Sequence, residues 1–507
     1  MRTFQARALS LILALTAIPL TASCGDNATT DETTTSTETS TEVTEQLDKY
    51  GRKIIPHGLP ADLDFGGYEI NCLVREDPQC SIDFGVESQN GDIVNDAVYE
   101  RNSRIEEELG VKFNLIGAPV TNTGTSEAVG DLLRQAVMAG DASYDLCAFY
   151  QIYGAALGMD GLLLNVSDLK YLDFTKPWWN QTFADELTYK DQLYYTVGSM
   201  NLSVTSSLMG VFFNQTKVVD YYKDYDFLYK LVYDGKWTLD EFSSLVKDVY
   251  TDLNGNSTAD DGDFFGLVMV EDDPGPWNSA LGIRLCTKDS SGTPQLSFYS
   301  ERAVTAYEKL YSLYRKTEGV YFGAKGYDYK TAFANGRSLF AVCALGAAET
   351  HLRDMKDGYG LLPMPKLDEA QENYYNSARD SSNLTGIATN CKDPEAVAAA
   401  LELMNYYSYL DVTPAYFEVA MKTKYLADSD SANMFDTIVN NIRVDFGEIY
   451  SLTISGGTYT MKGIFAGQFR NLIRLEIEDL GSNYAENENI YKAGLAGILA
   501  KYDELAK

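Results

Sequence analysis

Residues 68–74 (Tyr-Glu-Ile-Asn-Cys-Leu-Val) carry apolar positions at a spacing close to two, the mark of a strand. The period then lengthens. Residues 96–109 read as a helix, with Asn95 placed to cap it and Gly110 to end it. Residues 111–116 alternate again as a strand. Val129, Leu132, Leu133, Ala136 and Val137 return to helical spacing, closed by Gly140. Leu146, Cys147, Ala148 and Phe149 form a short apolar run within a strand-like stretch, 144–150. The order β-α-β-α-β predicts a parallel sheet with helices on its faces. Further on, residues 210–214 and 264–268 read as strands, and Gly161 introduces the apolar run 162–164. Thr238 with Glu241 makes a capping box before the buried stripe Phe242, Leu245, Val246 and Val249. Asp393 and Pro394 open an alanine-rich helix running to about Tyr406. The rest of the chain, to Lys507, reads mostly as helix.

The N-terminus follows a different pattern. Arg2 and Arg7 precede an apolar run, 8–22, that ends in Leu20-Thr21-Ala22-Ser23-Cys24-Gly25. A basic start, a short apolar core and small residues before a cysteine make a secretory signal. The arrangement resembles a bacterial lipoprotein signal (residues 1–24), in which Cys24 is lipidated and the protein is held outside the cytoplasm on the cell membrane. Residues 26–46 are almost entirely Thr, Ser, Glu and Asp, too poor in apolar surface to offset their ordering entropy. Residues 25–64 are accordingly expected to be a disordered acidic tether. About 35 such residues would reach on the order of 30–35 Å.

The 507-residue chain is long enough for two or three lobes. No later run is apolar over the eighteen residues a spanning helix needs, so lipid is expected to be the only membrane attachment. Acidic residues number 73 against 41 basic ones, a formal net charge of −32. Such a surface repels phosphate backbones, and no nucleic-acid partner is expected. Anionic ligands are disfavoured too, unless a local basic patch intervenes; a neutral ligand and bound cations are compatible with it. Two histidines, His57 and His351, and no CxxC or GxSxG exclude the common zinc and nucleophile-elbow chemistries. Beyond Cys24 there are six cysteines. Cys72 and Cys147, inside strand-like runs, are expected to be buried thiols.

One loop suggests a metal. After the capped helix, Asp252, Asn254, Asn256, Thr258, Asp260 and Asp263 stand at positions 1, 3, 5, 7, 9 and 12 of an EF-hand ladder. Hard oxygen donors at this spacing suit a structural Ca²⁺. Ser257 stands where the ladder has Gly, and Asp263 where it has a bidentate Glu. A strand, not a second helix, follows.

Several blocks, in order, resemble the extracellular solute-binding proteins, family 1, of carbohydrate ABC importers. They are Lys176-Pro177-Trp178-Trp179-Asn180, Phe212-Phe213-Asn214, Gly235-Lys236-Trp237-Thr238-Leu239-Asp240, Phe333-Ala334-Asn335-Gly336-Arg337 and Gly360-Leu361-Leu362-Pro363-Met364-Pro365. Thr413-Pro414-Ala415-Tyr416 and Met434-Phe435-Asp436 continue the series. The resemblance implies a periplasmic-binding-protein-like α/β fold: two lobes joined by a hinge, with the ligand in the cleft between them. Residues 65–157 and 372–424 would form lobe 1, and 158–371 and 425–507 lobe 2. It implies a monomer that does no chemistry on its ligand and passes an uncharged mono- or oligosaccharide to a membrane permease. Saccharides present C–H faces to aromatic rings and hydroxyls to amides and carboxylates. Trp277 is the leading stacking candidate, followed by Trp178 and Trp179, with Asn201, Tyr375, Arg379 and Asp380 as polar partners. The rival readings are a surface glycoside hydrolase or lyase and a non-transport adhesion protein.

Overall fold

A computed structural model describes residues 47, 53–121, 123–124, 126–271, 277–426 and 428–506. The signal segment, Cys24 and the tether to residue 46 lie outside the described residues. The chain divides into residues 1–55 and a large body, 56–507. In the first unit Leu47 pairs antiparallel with Lys53. Residues 56–64, expected in the tether, belong to the body instead. His57 packs edge-on against Tyr406 at 5.0 Å and lies 3.4 Å from Glu108.

The body is built on two principal sheets. β1 (Tyr68–Arg75), β2 (Val111–Ala118) and β3 (Leu146–Tyr150) lie parallel, as the β-α-β-α-β pattern predicts. The intervening helix is Ile93–Leu109, three residues longer at its start than expected. Asp92, not Asn95, is its cap: the Asp92 carboxylate accepts from the N–H groups of Val94 and Asn95, at 3.0 and 3.2 Å. Asn95 instead donates its amide to the Ser88 carbonyl. Gly110 ends the helix at φ 60°, where a Cβ would fall 2.0 Å from Asp64 Oδ1. Glycine is required there on both counts.

The second sheet takes β4 (Met209–Asn214), β5 (Tyr250–Thr251), β6 (Phe264–Val270), β9 (Val320–Gly323), β10 (Ser338–Ala344) and β11 (Tyr359–Leu362). Its order is β11-β4-β10-β6-β5, with β9 also on β6. β7 (Cys286–Lys288) and β8 (Pro294–Leu296) form a separate ribbon. β4 and β6 are buried along their whole length, as continuous apolar strands with both faces covered must be. The capping box forms as expected at one end: Thr238 accepts from the Glu241 N–H and starts the helix Leu239–Val246.

β12 (Asn383–Ile387) returns to the first sheet, antiparallel to β3, giving the order β12-β3-β1-β2. The chain thus crosses between sheets from β3 to β4 and back from β11 to β12. The two crossings touch, Leu208 bridging Ala378. Asp83, wholly buried, ties them: it accepts from the Ser203 N–H and from the Asn383 amide, both at 2.9 Å. The helix Pro394–Tyr407, capped by Asp393 as expected, packs on Ile93–Leu109. It continues as π-helix over Ser408–Val412 and Ala415–Tyr425, and Ser429–Asn440 then packs on β11. That is a third passage.

Residues 162–198, assigned above to the second lobe, lie against the first sheet. Leu163 bridges Ala388 and Thr196 bridges Thr385 beside or within β12. The reason is main-chain pairing on the β12 edge, which apolar pattern alone does not reveal. The six described cysteines are free thiols, and Cys72 and Cys147 are fully buried.

Candidate functional site

Parallel strands of both sheets point their carboxyl ends at one region. β3 ends at Tyr150, with Ile152 and Tyr153 just beyond; β6 ends at Val270, before Glu271, and β9 at Gly323, before Lys325. Clefts at strand carboxyl ends are the usual ligand sites of open α/β sheets. A cavity of about 350 Å³ opens there, lined by Tyr150, Ile152, Tyr153, Lys325, Arg379, Asp380, Tyr459, Arg470 and Arg474 among others. A smaller pocket of about 60 Å³ shares Ile152, Arg379, Asp380 and Arg470, and extends to Trp277, Asn278 and Glu448. The crossing before β12 supplies Arg379 and Asp380. The C-terminal helical region supplies the opposite wall.

The apolar part of the wall is a cluster of Ile152, Leu452 and Ile464, with Tyr150, Tyr153 and Tyr459 packed on it. Tyr150 and Tyr153 stand with ring centres 5.4 Å apart. Around them the polar groups are fixed by one another. Arg470 pairs with Asp380 at 3.5 Å and donates to the Tyr459 hydroxyl at 3.0 Å. Arg474 pairs with Glu271 at 3.1 Å, and the same carboxylate accepts from the Lys325 N–H. Desolvation, with the nearby Asp445 charge, pushes the Glu448 carboxyl up to about 8; Ser377 donates to it at 3.3 Å. Asn278 gives its amide N–H to the Ala466 carbonyl, and its buried Oδ1 has no hydrogen-bond donor among the described residues.

The sequence candidates scatter. Arg379 and Asp380 line the cavity. Trp277 opens a short helix at the smaller pocket, but it is only 2% exposed, and its indole N–H donates to the Tyr314 hydroxyl at 2.9 Å. Trp178 and Trp179 lie outside the cavity and are buried. Their indole N–H groups both donate to the Glu402 carboxylate, at 2.8 and 2.9 Å, so they pack the first sheet's helical layer. Asn201 is buried against Asp83 and Thr385, and Tyr375 lies beneath the Arg443 guanidinium, 3.4 Å from its ring centre. Sequence reasoning missed Tyr150, Tyr153, Asn278, Lys325, Tyr459, Arg470 and Arg474. The first two carried a usable signal, since they lie at and just beyond the carboxyl end of a predicted parallel strand.

In the acidic loop, Asp252 accepts from the N–H groups of Gly255 and Ser257, and Ser257 adopts φ 59°. Asn254 and Asn256 accept from main-chain N–H groups two residues on, and their amides donate to Asp260. Asp263 takes the Leu253 N–H and the Tyr250 hydroxyl. Thr258 contributes its N–H to Asn256. Among the described residues, no group of three or more His, Cys, Asp or Glu side chains gathers as a metal site.

No family model matches the chain, and no curated protein matches it. Solved structures do. The galacto-N-biose/lacto-N-biose I-binding protein of an ABC transporter from Bifidobacterium longum is 11% identical, with a TM-score of 0.56 over 86% of this chain and 98% of its own. A solute-binding protein from Thermotoga lettingae, bound with α-D-tagatose, is 14% identical, TM-score 0.52, over 85% and 100%. A cyclo/maltodextrin-binding protein in complex with maltotetraose is 14% identical, TM-score 0.53, over 84% and 96%. The fold is therefore the two-lobed, periplasmic-binding-protein-like α/β fold of these proteins.

Proposed function

We propose that this chain captures a saccharide in the cavity between its two sheets and delivers it unaltered to an ABC importer permease. One observation carries the reading: in a fold shared with sugar-binding proteins, strand ends of both sheets converge on a cavity walled by Tyr150, Tyr153 and Tyr459 and edged by fixed polar groups. Tyrosine faces suit sugar C–H surfaces, and Asn278 Oδ1 suits a sugar hydroxyl. The proposal includes a lipid anchor at Cys24, the acidic segment after it as a leash outside the cell, and a monomeric body. No helix among the described residues is long and apolar enough to cross a membrane.

We also propose a structural Ca²⁺ on the loop from Asp252 to Asp263. Its support is the oxygen ladder, together with the left-handed backbone of Ser257 at the position where EF-hand loops place Gly.

The enzyme alternative has Glu448 in its favour. A carboxyl held protonated at neutral pH in a cavity that also presents Asp380 has the form of a glycosidic acid. Calorimetry of the purified body against mono- and oligosaccharides, with chromatography of the recovered sugar, decides between them. Binding with the sugar recovered intact supports capture; released product overturns it in favour of the enzyme; no binding to any sugar leaves the adhesion reading. For the anchor, acyl labelling lost in Cys24→Ala is the expected result.

A further inference from the structure

We propose that Arg75 is a positioning residue for saccharide capture: its buried guanidinium sets the Tyr150 ring and the crossing that carries Asp380 against each other, so that two parts of the cavity wall form one surface before a sugar arrives. This rests on reading the cavity as a saccharide site. Arg75 ends β1, is 3% exposed and does not itself line the cavity. Burying a guanidinium is costly unless its donors are used. One terminal nitrogen of Arg75 lies within hydrogen-bonding distance of three groups: the Ser381 carbonyl and Asn383 Oδ1, both at 2.7 Å, and the Cys80 sulfur at 2.9 Å. All three are neutral, since desolvation pushes the Cys80 thiol up to about 12. The Nε–H meets no acceptor among the described residues. An apolar side chain would fill this strand end at less cost, so the charge and the fork are explained by what they hold.

In the order β12-β3-β1-β2, β3 lies between Arg75 on β1 and Asn383 on β12, and Tyr150 of β3 pairs with Asn383. The Arg75 side chain therefore reaches across β3, and its guanidinium carbon stands over the Tyr150 ring, 4.9 Å from the ring centre. The strand ladder aligns the main chains here, but it sets neither the ring's torsion nor the path of the crossing. Three successive carbonyls of that crossing are taken. Asp380 accepts from the Ile152 N–H at 3.3 Å, Ser382 from the Gln151 N–H at 3.1 Å, and Ser381, between them, from Arg75. Tyr150 and Asp380 both line the cavity, and the Tyr153 ring stands beside Tyr150. A wall fixed in this way has little freedom left to lose when a sugar binds, which strengthens binding without adding a contact. Lysine cannot replace this arginine, because a compact ammonium cannot bond both Ser381 and Asn383 while its charge lies flat over the ring.

The test is a double-mutant cycle read by calorimetry on the full chain, with glucose, galactose, lactose, raffinose and maltotetraose as probes. Arg75→Lys and Arg75→Gln should each weaken the tightest-bound of these sugars about tenfold. Tyr150→Ala should weaken it too, and in that background either Arg75 change should cost less than a further threefold, because the ring through which Arg75 acts is gone. A residue that only stabilises the fold would give the same loss in both backgrounds. Asn383→Ser takes away one anchor and leaves the guanidinium in place. It should weaken the same sugar threefold or more, again with the loss cancelled by Tyr150→Ala, and it decides the matter if neither Arg75 variant folds. Wild-type affinity in Arg75→Lys or Arg75→Gln, or a loss undiminished in Tyr150→Ala, would overturn the positioning role and leave saccharide capture standing. Binding of none of the five sugars by the wild type would overturn both.

Discussion

Glu402 offers a sharp test of the packing. It is wholly buried in the helix Pro394–Tyr407, where its carboxylate accepts from the Trp178 and Trp179 indoles and, at 3.3 Å, from the Asp173 N–H. Desolvation raises its carboxyl to about 7, against the lowering effect of the two indole hydrogen bonds. The unfolded chain releases this proton near 4.5. Between pH 4.5 and about 7 the native state holds a proton that the unfolded state has lost, so stability falls as pH rises through that window. A shift of about 2.5 pH units at about 1.36 kcal/mol each amounts to about 3 kcal/mol. Glu402→Gln has no such titration. It offers one acceptor oxygen to two indole N–H groups, and the donor left facing an amide NH₂ costs about 1–3 kcal/mol. At pH 5, then, the variant should melt below the wild type, and by pH 8 the gap should close or reverse. With an unfolding entropy of about 2.1 cal/mol/K per residue over roughly 450 residues, 1 kcal/mol corresponds to about 1 °C. Calorimetric melts at pH 5, 6, 7 and 8 should show the gap narrowing by about 3 °C. Asp83, Glu127, Asp445 and Glu448, whose carboxyls are also raised, tilt both curves alike and cancel in the difference. A gap that stays constant with pH would refute the argument.

Three further outcomes are expected. Gly319→Ala should cost about 3 kcal/mol, seen as a lower melting temperature, because its Cβ would fall 1.7 Å from the Val246 carbonyl oxygen and backbone cannot yield. Tyr153→Ala should weaken saccharide binding roughly tenfold by calorimetry, a loss in line with the about 0.5–1.5 kcal/mol that ring contacts contribute beyond area; an unchanged affinity would remove the tyrosine wall from the site. Chelator should lower the melting temperature of the wild type, and Asp252→Asn should already show the lowered value and respond no further, whereas a wild-type melt indifferent to chelator counts against calcium.

Short windows of sequence carried the local structure. The alternation at Tyr68, the stripe from Val129 to Val137 and the caps Thr238 and Asp393 each act within one or two turns, and the elements formed where those signals stood. Asp92 displaced Asn95 because both residue types cap equally well, and only the path of the preceding loop, which brings Ser88 to the Asn95 amide, chose between them. The block order carried the two-lobed architecture. The site was another matter. Arg379 and Asp380 were legible only as part of a polar segment between the resembling blocks, and the reading also offered Trp178 and Trp179, whose indoles turned to Glu402. A tryptophan that stacks on sugar and one that caps a buried carboxylate look identical in a sequence. Net charge showed the same limit: it averages over the whole chain, while the cations lining the cavity come from just after β9, from the crossing before β12 and from the helix Gln468–Arg474. Periodicity and capping are settled by near neighbours along the chain. A cleft is settled by which distant segments the crossings bring together, and that is decided by tertiary packing alone.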